Sequence, residues 1–405
     1  MTPMGHLQQG IYLAAGERPP PCWRLVLLNV SPGAVAGDVH EGLAHILRML
    51  ADLGLGRVRE LEGQPPEHAR ASADQFAGLA TLVAFGRRLF DAERHDPQLT
   101  TAPRPPFLAY LPEGAALAGL PWSSRNGDAA PSGEADIALQ LTAERQAGVN
   151  CGAVEVWKLI GDHNLPFVVS ASFSGFGRHD GRGWLEFHDG VSNLPAEDRL
   201  DALSASGDPP WMAGGTYLAF LRLGVDLATW RNRGRAQQEL LVGRDKLSGA
   251  ALVATTRASD GTVLPVPGLT PDSMAGPDDR IDWIDPPQTT DPLLEASHIH
   301  RANQNRASAA APGSLRMYRQ GYDFLDEVGP SGPVAGLNFI SFQRDLQIFQ
   351  HVLHLPGWLG EVSFGGPAEP QPGEPVEPRF LSLLAGGLYA VPPRRDPFPG
   401  ADLLT

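Results

Sequence analysis

WRLVLLNV, residues 23–30, followed after a short link by DVHEGLAHILRMLADLGLG, residues 38–56, sets the fold class. The first stretch is rich in aliphatic and β-branched residues and of strand length, suited to a buried strand. The second places Leu43, Ile46, Leu47, Leu50 and Leu53 at helical spacing, and Gly54 supplies a stop. Further on, LATLVAFGRRLFD (79–91) and ADIALQLTAE (135–144) read as strands separated by loop-rich chain. Strand, helix, strand and strand within roughly the first 175 residues define an α+β unit.

The second half repeats the theme. GGTYLAFLRLGVD (214–226) alternates like a strand, and LATWRNRGRAQQELL (227–241) has helical character. PVPGLTPDSMAGPDDRIDWIDPPQTTDP (265–292) reads as irregular surface chain. AGLNFISFQ (335–343) is a strand, and DLQIFQHVLH (345–354) a short helix with Leu346, Phe349, Val352 and Leu353 on one face. Two similar α+β halves fit a duplicated architecture.

Bulk properties exclude several function classes. The 405 residues are 42% hydrophobic and 19% charged, the balance of a globular chain rather than a disordered one. A formal net charge of −14 argues against a nucleic-acid partner and against docking on anionic lipid. Two cysteines, Cys22 and Cys151, are too few for a disulfide framework and lack metal-ligand spacing. No basic segment leads into an apolar run at the start, and no stretch approaches a membrane span, so the expected compartment is the cytoplasm.

The chemistry concentrates in three places. WLEFHDGVSNLP (184–195) carries Asp189 between His188 and Gly190, although an Asp-Gly step is also ordinary turn chemistry. EASHIHRANQNR (295–306) carries His298 and His300 two apart, which point the same way on a strand and apart on a helix. On a strand the pair could begin a non-haem metal site; alternatively, one neutral imidazole could be an axial haem ligand. In GSLRMYRQGYDF (313–324), Arg316 and Arg319 flank Tyr318, and arginine offers a permanent charge and a fork of donors to an anion. Each of these residues also has a plain surface or packing role open to it.

Several stretches together resemble the haem-dependent dye-decolourising (DyP-type) peroxidases. The pieces are EFHDGVSNL (186–194), GGTYLAFLRLGVDLATW (214–230), GRDKLSGAAL (243–252), SHIHRANQNR (297–306), YRQGYDF (318–324), GLNFISFQRDLQIF (336–349) and LAGGLYAVPP (384–393). They stand in family order, and HLQQGI (6–11) and ADIALQL (135–141) extend the likeness towards the start.

The resemblance implies two ferredoxin-like halves, each an antiparallel sheet with peripheral helices, of the dimeric α+β barrel kind. Residues 1–183 would form the N-terminal half, 184–210 the motif loop and connection, and 211–405 the C-terminal half that holds most of a haem b. It makes His298 the iron ligand, Asp189 and Arg319 the catalytic pair over the haem, and Arg319 and Arg306 cofactor-binding cations. Hydrogen peroxide would be reduced and an organic donor oxidised by one-electron steps; the sequence leaves a homo-oligomer open. A carboxylate shuttling the peroxide proton needs burial to hold a useful pKa, so Asp189 is expected in a dry pocket. Asp345 and Glu377 are candidate partners of the ligand imidazole. Tyr318, Trp230 and Tyr389 are surface electron-transfer candidates by residue type alone.

Two departures stand out. Glu186 replaces the first glycine of the family's GxxDG motif, and glycine there commonly marks an unusual backbone angle. His300 replaces an arginine two residues after the iron ligand. Both changes make a haem-binding relative with weak or specialised activity, in haem handling or as a biosynthetic partner, the alternative to a peroxidase.

Overall fold

In the computed structural model, the described residues are 6–58, 63, 73–76, 78–95, 97–108, 133–189, 193–194, 196–247, 249, 251–252, 255–257, 263–265, 292–302, 317–330, 332–353 and 380–404. The N-terminal half runs β1 (Cys22–Val30), α1 (Ala36–Gly54), β2 (Ala80–Gly86), β3 (Ile137–Ala143), α2 (Gln146–Asp162) and β4 (Phe167–Phe176). Its strands lie in the order β4-β1-β3-β2, all antiparallel. The strand and helix expected from residues 23–56 are thus present, and so are the two strands after them.

After the motif turn and α3 (Ala196–Leu203), the C-terminal half begins with β5 (Thr216–Val225). Short helices α4 (Leu227–Arg231), α5 (Arg235–Val242), α6 (Pro292–Glu295) and α7 (His298–Ala302) follow, with a small ribbon of β6 (Thr255–Arg257) and β7 (Val263–Pro265) among them. The half closes with β8 (Tyr318–Gly329), β9 (Gly332–Gln343), α8 (Leu346–Leu353) and β10 (Leu381–Val391). Its sheet order is β10-β5-β9-β8. In both halves the first strand therefore pairs with the last and the third, which is the ferredoxin-like arrangement.

The two sheets join edge to edge into one closed eight-stranded barrel, through β2 with β10 and β4 with β8. Closure removes the exposed strand edges that each half would carry alone. Strand alternation then sorts side chains into two cores. Trp23, Leu25 and Leu27 of β1, Phe220 of β5, Tyr322 of β8 and Phe342 of β9 fill the interior. Trp23 stacks on Tyr322 with ring centroids 5.6 Å apart, so this core belongs to both halves.

Outward residues pack beneath the helices. Leu43, Ile46 and Leu50 of α1 are fully buried over the first sheet, each contributing roughly 1.5–3 kcal/mol of transfer free energy. On the second sheet, Leu346 and Phe349 of α8 lie in the same core as Ala219 and Leu221 of β5. Among the described residues, no helix is long and apolar enough to cross a membrane. Most of the Pro/Asp-rich stretch 265–292 lies outside the described residues.

Candidate active site

Residues 181–189 fold back on themselves as a tight turn. Gly183 N donates to Phe187 O (3.2 Å), Asp189 N donates to Gly181 O (2.7 Å), and Arg182 faces His188 across an isolated bridge. Arg182 Nη1 donates to the carbonyls of Glu186 (2.6 Å) and Lys246 (2.5 Å), stitching the turn to the segment after α5. His188 is half-buried, its Nε2 lying 2.9 Å from Arg182 Nη2 and 3.3 Å from Leu247 O. It fastens the turn in place.

Glu186 has φ +64°, the left-handed conformation that glycine adopts freely. The turn therefore keeps a glycine-like backbone although a glutamate occupies the position. Its carboxylate is held by Arg178, with Nη1–Oε1 at 3.0 Å. Both groups are solvent-accessible, so this ion pair offsets only part of the backbone cost.

The turn sets Asp189 over β8. A Cβ at Gly321 would fall 2.6 Å from Asp189 Oδ2, so the carboxylate sits against bare backbone. Asp189 is exposed rather than enclosed, contrary to the expected dry pocket. The buried carboxyl of this region is Asp323, two residues further along β8, and burial followed by the nearby Asp189 charge pushes its pKa up to about 7. The sequence reading gave Asp323 no role.

Asn193, beyond the turn, grips the backbone of Arg319. Its Nδ2 donates to Arg319 O (2.7 Å) and its Oδ1 accepts from Arg319 N (3.1 Å). These two bonds extend the β8 edge with an amide side chain and fix where Arg319 starts. Arg319 itself is half-buried.

His298 opens α7, whose placement depends on Gly243. That glycine ends α5 at φ +86°, and a Cβ there would meet Ser297 Oγ at 2.6 Å and Ile299 Cγ1 at 2.7 Å. Only a glycine lets α7 settle so close to α5. The His298 side chain is half-buried, and its pKa is pulled down to about 4 by burial, then by the charges of Arg319 and Arg244. At neutral pH it is an uncharged imidazole, the form that binds a metal. Arg244 is buried, donating to Gly249 O at 2.7 Å. It belongs to the quoted GRDKLSG stretch, which gave its position but not its part in the site.

Because His298 and His300 lie on a helix, they point apart and do not form a shared H-x-H metal site. Among the described residues no group of three His, Cys, Asp or Glu could hold a metal ion. Arg306, Arg316 and Glu377 lie outside the described residues. Asp345 caps α8, its Oδ1 accepting from Gln347 N at 2.7 Å, and Tyr217 rather than His298 feels its charge. The three electron-transfer candidates are all interior. Tyr318 lies under Arg199, Trp230 packs edge-on to Phe380, and the Tyr389 hydroxyl donates to Gly133 O at 2.5 Å.

Fold and residues together define a fused ferredoxin-like barrel protein with one neutral histidine in the field of two arginines. A family model described as the C-terminal part of Dyp-type peroxidases matches residues 180–396, just over half of the chain. The chain belongs to the DyP-type peroxidase family, whose members are haem-binding oxidoreductases.

Curated relatives carry the name deferrochelatase. Those of Shigella flexneri and Escherichia coli K12 are each 26% identical over 225 residues, 52% of this chain and 48% of theirs. The chain thus matches about half the length of these relatives. Solved structures share the fold over nearly its whole length. The DyP-type peroxidase from Cellulomonas bogoriensis has a TM-score of 0.67 at 20% identity, covering 98% of this chain and 96% of that one. Ferric DtpA from Streptomyces lividans gives 0.62 at 20% identity, with coverage of 100% and 99%. The encapsulated DyP-type peroxidase from Mycobacterium smegmatis gives 0.54 at 18% identity, with 96% of each chain covered.

Proposed function

We propose that this protein is a haem b peroxidase that reduces hydrogen peroxide and oxidises an organic donor by single electrons. The observation that carries the reading is the uncharged, half-buried His298 imidazole within the field of the Arg319 and Arg244 guanidinium charges. That donor set fits haem: one neutral nitrogen for the iron, and cations for its carboxylates. Bound there, haem would supply the redox-active iron at which peroxide is reduced and the donor oxidised.

The chain's own residues would do the rest. His298 would ligate the iron, while Arg319 and Arg244 balance the cofactor's negative charge; Arg306 is a further cation on the resemblance alone. Asp189 would take a proton from one peroxide oxygen and return it to the departing one, help worth about 100- to 10,000-fold. Arg319 would stabilise the negative charge that grows on that departing oxygen. Asn193 fixes the backbone from which that guanidinium extends.

The test is an absorption spectrum of the protein expressed with added haem, for wild type and His298→Ala, followed by steady-state peroxide turnover. An intense Soret band that the substitution removes or alters, with turnover in wild type, is the expected result. No haem uptake overturns the reading. Haem uptake without peroxide turnover favours the second reading, haem handling, which the name deferrochelatase on the curated relatives supports.

A further inference from the structure

We propose that Asp323 is a second carboxyl of the peroxide site, a positioning residue that keeps a proton beside Asp189 so that the pair carries one negative charge. This deepens the peroxidase reading and rests on its assignment of Asp189. The geometry comes from β8. Gly321 and Asp323 alternate onto the same face of the strand, Asp189 Oδ2 lies directly over Gly321, and the Gly183–Trp184 turn covers Asp323. An ideal Cβ on Gly183 would lie 3.5 Å from Asp323 Oδ1, and Trp184 N–H donates to the carboxyl. Asp323 is 6% exposed, whereas Asp189 is open.

A buried carboxyl that shares a strand face with another carboxylate ionises less readily than a free one. Burial and the Asp189 and Glu186 charges favour the protonated form of Asp323; the Trp184 N–H and Arg178 oppose it. The buried member, Asp323, therefore keeps its proton, and the open member, Asp189, is the carboxyl that peroxide can reach. The proton that Asp189 accepts goes back to the departing oxygen as the O–O bond breaks, while the Asp323 proton stays where it is. When Asp323 ionises, a further negative charge stands near the departing oxygen, on which negative charge also grows, so the transfer slows.

The test uses haem-loaded wild type, Asp323→Asn and Asp189→Asn. The wild-type rate of reaction with peroxide is expected to fall as pH rises through about 7, and Asp323→Asn, which cannot ionise, is expected to lack that fall. Superimposable pH profiles would overturn the proposal. A second readout is independent of turnover. The folded pKa of Asp323 is raised above its ordinary 3.8, so wild type loses stability as pH climbs from about 4 to 7 and no further above that. The denaturation midpoint of Asp323→Asn should gain on wild type through that window and then hold its lead. Infrared titration of the buried carboxyl band should likewise shift to lower pH in Asp189→Asn, where the repelling charge is gone. If wild type turns over no peroxide but the band titrates near neutrality and shifts in this way, the function fails and the carboxyl pair stands. If the band ionises in the ordinary carboxylate range, the pair fails whatever the turnover.

Discussion

Glu186 sits where an L-residue pays in backbone strain, on the order of 1–2 kcal/mol. Its exposed ion pair with Arg178 returns roughly 0–1 kcal/mol. Glu186→Gly should therefore raise stability by about 1 kcal/mol, read as a denaturant midpoint that rises at unchanged slope. Peroxide turnover should not change, because the turn already has the backbone shape of glycine. The sequence made this position conspicuous as a missing glycine; the φ angle shows that the glycine-like backbone is retained. Gly321 is the opposite case, inconspicuous in YRQGYDF and yet the seat of a carboxylate. Gly321→Ala would bring a methyl within 2.6 Å of Asp189 Oδ2, which must swing away. Since only the end of a side chain has to move, folding should be nearly unaffected. Turnover should fall by about tenfold or more, the low end of what a misplaced acid–base group costs. A rate equal to wild type would remove Asp189 from the mechanism.

At the scale of elements, the site is assembled by clamps between segments distant in the chain. The motif turn is tied to the segment after α5 by Arg182 and to β8 by Asn193. Asn193→Ala removes two hydrogen bonds to the Arg319 backbone, a loss of about 1–3 kcal/mol if the freed groups stay unsatisfied. It should lower turnover more than it lowers haem affinity, because it loosens Arg319 without touching His298; equal losses in both would mean that the clamp supports the whole pocket. These clamps were illegible in the sequence, since an asparagine's partner 126 residues away leaves no local pattern. The elements themselves were easier. β1, α1, β5, β9 and α8 follow from apolar runs and periodicity alone. Helix α2, QAGVNCGAVEVWKLIGD, did not declare itself, because its three glycines lower helix propensity and its apolar stripe is weak. The stretch 227–241 read as one helix but forms two, parted at Asn232–Gly234, where Asn232 ends α4 and Gly234 begins α5.

At the scale of the whole molecule, the duplicated halves were legible and their closure into one barrel was not. The repeated strand-helix pattern signals two units, whereas the seams rest on few pairings: Tyr389 and Ala390 with Gly86 and Phe85, and, among the described residues, Phe176 with Asp323. No run of residues announces which edge will meet which. Polar links stiffen the second seam, with Asn338 Nδ2 donating to Ser174 O at 3.0 Å and Arg222 Nη1 donating to Asn338 Oδ1 at 2.6 Å. What couples the halves most strongly is the interior they share. Trp23 belongs to β1 but stacks on Tyr322 of β8 and lies 5.9 Å from Phe220 of β5. Halves that fill one core should unfold together, so calorimetry of the haem-free protein should show one endotherm whose van't Hoff and calorimetric enthalpies agree. Trp23→Ala sharpens the prediction. It removes a fully buried side chain, at about 3–5 kcal/mol, from an interior that neither half owns. The single transition should move down as a whole. If the endotherm instead splits, and only one component shifts in the variant, the barrel is two independent sheets in contact, and the site on β8 does not depend on the N-terminal half.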